Sequence, residues 1–402
     1  DMSDAKPLTM TTNVTEAGSS YIYNLTVSKE KIKVTGVTAG AWTASGTTTG
    51  DLVVAGIPYV TFKAEQPQTF KMTAKGGYEI TGLQYSVNYG EWKTVAANEE
   101  VTFGGTNGTL RLRGTNTNGT ASAWSGYSTI TFTDKTVKVA CTGDIRTLQD
   151  WRNYSTVDTQ NAKFSYLFYD CSVLTSAPEL PATTLADKCY SYMFHNCTSL
   201  TSAPKLPATT LAGSCYNSMF SGCTSLTAAP ELPATTLADN CYLNMFLGCT
   251  GLTSAPELKA TTLAGSCYYG MFYGCTSLTA APELKATTLE KYCYNRMFKG
   301  CTSLTAAPKL KATTLAYYCY YDMFSGCTKL STVTMLAPSD QISNWCDNWL
   351  DNAGTNPTVK SRTLIVSDEA AYNKLVNVGV LPTDYWQAGN CTVKAADGTD
   401  IK

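Results

Sequence analysis

A cysteine returns every 26 residues, at Cys171, Cys197, Cys223, Cys249, Cys275, Cys301 and Cys327, without one insertion. A second column keeps the same period at Cys189, Cys215, Cys241, Cys267, Cys293 and Cys319. A fixed period of this length means a solenoid, in which each repeat is a unit whose apolar face is covered only by its neighbours. Met, Phe, Cys, Leu and Ala hold fixed slots in the unit while polar residues change, so interior and surface positions separate by comparison of the copies. One such unit buries too few apolar side chains to offset the entropy of ordering its backbone and cannot fold alone.

Both ends of the array depart from the pattern, as solenoid caps do. The first copy opens with the degenerate KFSYLFYDCSVL, and the last runs into TMLAPSDQISNWCDNWLDNAGTNPT, where Ala353 takes the cysteine slot. The expected solenoid covers 138–352, with an N-terminal cap and repeats from 171. A C-terminal cap over 353–402 contains a strand TLIV, a helix SDEAAYNKLV with Ser367 as N-cap, and Trp386 closing the final coil.

Upstream the composition shifts to Gly, Thr, Asn and Val, with short alternating runs such as TLRLRGT and STITFTDKTVKV between turn-like TNGT and TNTNGT. The fold class expected is mainly β, an N-terminal Ig-like β-sandwich at 59–137 followed by the repeat solenoid. Asn88-Tyr89-Gly90 reads as a hairpin turn and Trp92 as a core anchor. Residues 1–58 carry strand candidates in YIYNLTV and KIKVTGV and form a second β-rich module or an extension.

The 30 Lys and Arg against 31 Asp and Glu leave a formal charge of −1, which offers no general attraction for nucleic acid or an anionic membrane. No apolar run approaches the roughly 20 residues that span a bilayer. The opening DMSDAKPLTM lacks the features of a signal peptide and reads as the start of a mature or trimmed chain.

The run MFSGCTSLTAAPELPATTLADNCY resembles the BspA-type leucine-rich repeat, in which an aromatic is followed by GC-T-S-L and a short strand. The resemblance covers 164–352. The chain differs in having Met-Phe for Ala-Phe, a longer unit, and an Ala-Pro that denies the strand a backbone donor. The resemblance implies a surface or secreted protein of anaerobic gut or oral bacteria, anchored as a lipoprotein through a segment upstream of residue 1, that adheres to a host or microbial protein or glycan.

Sixteen Cys beside a single His do not suit zinc or Cys-His chemistry, so neither metal nor cofactor is expected. The two Cys columns admit disulfides, recurring in every repeat as in Cys189 to Cys197, or a line of small apolar side chains in the core, which is the expectation. Cys141, Cys346 and Cys391 lie outside the columns. Glu179, Glu231, Glu257 and Glu283 occupy one repeated surface slot, and no nucleophile, Walker, G-x-G-x-x-G or H-E-x-x-H pattern stands in a suitable context. The chain therefore reads as a non-enzymatic binding protein. A phage tail fibre or other structural receptor-binding component, and a carbohydrate-binding module or His-free glycosidase, are the alternatives.

The column Tyr190, Tyr216, Tyr242, Tyr268, Tyr294 and Tyr320 admits a packing ladder or a sugar-binding stripe. More telling are slots that vary while the frame stays fixed. In the last full repeats they fill with Tyr269, Tyr273, Tyr292, Tyr317, Tyr318 and Tyr321 beside Arg296 and Lys299, where earlier repeats carry mostly small or polar residues. These eight residues are the expected ligand-binding site, with no catalytic residue among them.

Overall fold

The computed structural model describes residues 57–122 and 125–401 in full and, before them, the backbone of three strands. The chain divides into two compact units, Asp1–Pro58 and Tyr59–Lys402. In the first, β1 (Ser20–Val27), β2 (Ile32–Gly40) and β3 (Thr47–Leu52) form an antiparallel sheet in that order, with a register shift between Asn24 and Leu25.

The second unit begins with two antiparallel sheets built from β4 (Val60–Lys63), β5 (Gln68–Lys75), β6 (Leu83–Val87), β7 (Lys93–Thr94), β8 (Glu100–Phe103), β9 (Leu110–Gly114), β10 (Tyr127–Phe132) and β11 (Ala140–Thr142). One sheet runs β10-β5-β8 and the other β11-β4-β9-β6-β7. Strand alternation aims Phe62, Phe70, Phe103 and Phe132 inward, and Phe62 meets Phe132 edge-on at 5.4 Å between ring centroids. The β6–β7 hairpin turns where the sequence places it. Asn88 and Tyr89 take φ of 45° and 60°, and Gly90 N–H donates to Val87 O at 2.9 Å. Trp92 does not anchor the core: it is half-buried beside the outward-facing Arg111 and Arg113. A large aromatic gives a strong burial signal, but the face it covers depends on strand register.

The sheets end directly on the first coil. Phe62 lies 6.2 Å from Phe168, Ile130 N–H donates to Leu167 O at 2.8 Å, and Val139 N–H to Val173 O at 3.0 Å. The sheet module therefore covers the open N-terminal end of the solenoid core. At the other end β12 (Thr332–Met335) pairs in parallel with β13 (Thr363–Val366), and β13 with β14 (Thr392–Ala395), which pairs antiparallel with β15 (Asp400–Ile401). Helix α1 (Glu369–Asn377) starts at Asp368, whose side chain accepts the Ala371 N–H; the N-cap is thus one residue beyond the Ser367 that the pattern suggests. Asp and Ser serve equally well there, so the motif alone does not choose between them. The short α2 (Thr383–Trp386) delivers Trp386, fully buried, whose indole N–H donates to Ala353 O at 3.0 Å. Closure of the final coil by this tryptophan matches the expectation.

Each coil has a turn side and a more extended side. On the extended side the coils are joined by isolated parallel bridges such as Ala228↔Ser254, Leu232↔Leu258 and Thr236↔Thr262, not by continuous strands. Pro230 and Pro256 fall between the first two bridges and have no N–H for a ladder, which keeps the pairing discontinuous while register holds at 26.

The turn side, from the residue before the second-column Cys to the first-column Cys, hydrogen-bonds in two directions. Alternate amides reach the next coil, as in Tyr190 N–H to Cys215 O at 2.9 Å, Tyr192 to Asn217 at 2.8 Å and Phe194 to Met219 at 2.9 Å. The amides between them close local turns, with Ser191, Met193 and His195 each donating three residues back at 3.2 Å. Every fourth residue, here Lys188, Tyr192 and Asn196, takes a left-handed φ of 55–59° to keep the chain turning.

Candidate functional site

What the turn side buries explains the invariant slots. The Tyr190 to Tyr320 column is inside the core, its rings stacked 5.7 to 6.2 Å apart. A parallel column from Phe168 to Phe324 stacks at 5.3 to 5.8 Å. Stacked identical rings one coil apart are packing, so the tyrosine column presents no sugar-binding stripe.

All sixteen cysteines are free thiols, and every one in the two columns is buried. The thiols of Cys197, Cys223, Cys249, Cys275, Cys301 and Cys327 donate to the carbonyls of Phe168, Phe194, Phe220, Phe246, Phe272 and Phe298 one coil back, at 3.0 to 3.1 Å. Burial pushes these acids up, to about 12 for Cys249 and Cys301. They therefore remain protonated small apolar groups that also satisfy a backbone acceptor. Cys346 falls one residue past the second column: Tyr320 N–H donates to Trp345 O, the place held by a cysteine in earlier coils. Among the described residues no group of three or more His, Cys, Asp or Glu could hold a metal ion, and no helix is long and apolar enough to cross a membrane.

The varying slots face outward on the same turn side, and the structure brings the singled-out residues together there. Tyr317 and Tyr318 meet at 4.3 Å, Tyr318 and Tyr321 at 5.1 Å, and Tyr292 lies edge-on to Tyr317 at 5.4 Å. Arg296 crosses from one coil to the next, with its guanidinium 6.0 Å from the Tyr269 ring centre and 5.7 Å from that of Tyr321. The guanidinium donates to the Tyr269 hydroxyl at 2.9 Å and, through Nε, to Asp322 at 3.1 Å. Lys299 donates to the same Asp322 oxygen at 2.7 Å. Tyr273 stands one coil before Lys299 with its ring over Gly300. Tyr273 and Tyr317 are the most open members, at 37% and 50% exposure.

Asp322, whose side chain is only 7% exposed, is the residue that composition did not single out. Its position held the clue: it stands 26 residues after Arg296, and residues one period apart are stacked neighbours.

Three of the patch residues sit at left-handed positions, Tyr292, Arg296 and Tyr318, with φ of 56°, 55° and 51°. The same slots in the middle coils hold Ser214, Asn240, Ser266, Ser218, Asn244 and Gly270, small or Asn residues, while the first coils carry Lys188, Tyr166 and Tyr192 there. A left-handed residue with a large side chain costs about 1–2 kcal/mol, so the frame alone does not favour these choices.

A second aromatic group at the first coils was not singled out by sequence. Tyr127 of β10 stacks on Tyr166 at 4.1 Å, Tyr166 on Tyr192 at 4.9 Å, and Tyr169 on His195 at 4.9 Å. Each ring lies face to face with the next, from the sheet module into the solenoid, so this group is a junction. Burial pulls the His195 pKa down against the opposing effect of Asp170. The Glu slot is exposed, and Glu257 and Glu283 pair with Lys285 and Lys311 of the following coils at 2.6 Å as a surface ladder, while Glu179 lines a shallow depression with Pro178, Pro181, Lys205 and Pro207.

The BspA type leucine rich repeat region matches the chain in six copies, over residues 163–255 and 231–349. No curated protein matches it. The matched span coincides with the coils just described, with the Phe, Cys and Leu of every copy in the core, and residues 163–349 are a BspA-type leucine-rich repeat region, of the kind that serves protein interaction or adhesion.

Proposed function

We propose that this chain is a non-enzymatic adhesion protein, displayed on or secreted from a bacterial cell, whose solenoid recognises a host or microbial protein or glycan with the turn side of its last coils. In this reading the two-sheet module, taken as Ig-like, is a spacer and end cap. A lipid anchor upstream of residue 1 would hold the chain at the outer surface. The observation that carries the reading is that Tyr292, Arg296 and Tyr318 gather with Tyr269, Tyr317, Tyr321 and Lys299 on the outer turn side, with Tyr317 half exposed. Broad Tyr and Arg surfaces provide contact area at small entropic cost.

The test is binding of the full chain to an array of matrix proteins, mucins and glycans. A variant carries Tyr269→Asn, Tyr273→Ser and Tyr318→Asn, each the residue that another coil holds in that slot. A specific partner lost by the folded variant supports the site. A partner bound equally by both forms removes the site from these coils.

A further inference from the structure

The extended side of the solenoid changes character along its length. Two residues after the Glu slot, the fourth to sixth coils hold Lys259, Lys285 and Lys311, where the first three hold Pro181, Pro207 and Pro233. Lys285 and Lys311 each reach the carboxylate 28 residues back, Glu257 and Glu283, at 2.6 Å. The position at the same spacing from Glu179 is Pro207, so this carboxylate has no such clamp. Lys205, one period after Glu179, is exposed as well, and among the described residues neither of the two makes an ion pair.

Where the lysine is missing, a shallow depression of about 430 Å³ lies between the first two coils. It is lined by the buried Leu180 and Pro178, the half-buried Pro181, Pro204 and Pro207, and the exposed Glu179 and Lys205. Clefts that hold a small organic group span about 300–1,000 Å³, so one large side chain fits. The frame is fixed from the cap: Glu179 N–H donates to Gly143 O at 2.7 Å, and Glu179 O accepts from Ile145 N–H at 3.1 Å. Docking on a surface already held in place costs little ordering on this side.

The lining specifies the chemistry of an occupant. Proline rings pack against aromatic rings in peptide recognition. Proline has no N–H, so four prolines leave this stretch of backbone rich in acceptors and poor in donors, and an indole or phenol supplies a ring together with a donor. No aromatic ring lines the depression for a sugar to stack on. The two unclamped charges select what flanks the ring, a cation for Glu179 and an anion for Lys205.

We propose that the proline-lined depression between the first two coils is a docking site for an extended protein segment that presents a tryptophan or tyrosine between a basic and an acidic residue. The ring packs on Pro181, Pro204 and Pro207, the basic residue pairs with Glu179 and the acidic one with Lys205. The site lies on the extended side and is independent of the tyrosine patch on the turn side.

The test is fluorescence anisotropy of the full chain with a labelled peptide that carries Lys-Trp-Glu, beside the same peptide with Lys-Ala-Glu. Loss of the ring should weaken binding roughly tenfold, the scale of an aromatic anchor. Pro207→Lys installs the residue that later coils hold in this slot. It should clamp Glu179, fill the depression and weaken binding roughly tenfold, with an unchanged melting temperature. Glu179→Gln should weaken it about two- to fivefold, the range of one solvent-exposed charge contact. Lys309→Gln, an exposed lysine in the Glu slot of the sixth coil, should change nothing. Equal binding of the two peptides, equal binding by the Pro207→Lys variant, or no binding of either peptide would each overturn the proposal. So would self-association in sedimentation that Pro207→Lys abolishes, since the occupant would then be a second copy. The triple tyrosine variant above should bind the peptide like the parent, which keeps this test separate from that of the turn-side patch.

Discussion

Tyr268 and Tyr269 are adjacent in the chain and have opposite surroundings. The first is 2% exposed, stacked between Tyr242 and Tyr294 inside the solenoid; the second faces outward and accepts a hydrogen bond from Arg296. Tyr320 and Tyr321 repeat the contrast two coils later. Residue type does not separate the interior ladder from the surface patch. Slot does, because a ring one period from an identical buried ring has a neighbour on each face. The interior should therefore carry stability and the patch recognition.

The largest break in that comparison comes from pH. An unfolded thiol ionises near 9.0, while burial holds the folded ones higher, about 12 for Cys171, Cys249, Cys267, Cys301 and Cys319. Because the folded pKa is raised, the stabilisation is complete below pH 9.0 and is lost as pH rises toward about 12. Each such thiol contributes a slope of up to about 1.4 kcal/mol per pH unit, so the columns together should unfold the solenoid within a narrow alkaline range. Circular dichroism against pH, with a thiol reagent, checks it. Cysteines should stay unreactive at neutral pH apart from the half-buried Cys391 and become reactive together with unfolding. Reaction of the columns one by one in the folded protein would show that the interior is open.

Truncating one interior ring comes next. Phe246→Ala removes a fully buried side chain between two stacked partners and should cost about 3–5 kcal/mol in denaturant titration. Tyr269→Asn, on the patch, should stay within about 0.5 kcal/mol of the parent, the usual bound for a surface change.

Asp322 lies on the boundary of the two regions, a buried acid that holds two surface cations. Asp322→Ala should cost about 1–2 kcal/mol, since the cations it pairs with are partly open to solvent. The same change frees Arg296 and Lys299 and should alter any binding at the patch. A loss of stability with no change in binding would make the pair purely structural.

The smallest effect sharpens the interior side. The Tyr242 hydroxyl is buried without a hydrogen-bond partner, so Tyr242→Phe should leave stability unchanged or raise it by up to about 1 kcal/mol. A clear loss, measured by thermal melt, would mean that the hydroxyl is satisfied in solution.

The sequence by itself determined the period and the register, while the tyrosine column, open to a sugar-binding stripe, and the cysteine columns, open to disulfides, were placed in the core by the fold. Seven cysteines at one spacing force equivalent residues to stack, so Phe, Tyr, Cys and Leu columns follow from the count alone, as does the replacement of Cys by Ala at the closing coil. It also placed the varying slots on the outside and singled out the patch residues. Only the tertiary structure decided how the turn side is built. A left-handed residue every fourth position is written in Asn240, Asn244 and Gly270 but hidden where Tyr292 and Arg296 occupy the same slots. The period already stacks Asp322 on Arg296, but only the structure buried its carboxylate and joined Lys299 to it, and only the structure turned Trp92 outward onto arginines. Those outcomes depend on which segments meet across coils and strands, and a local pattern records the burial of a residue without recording its neighbour.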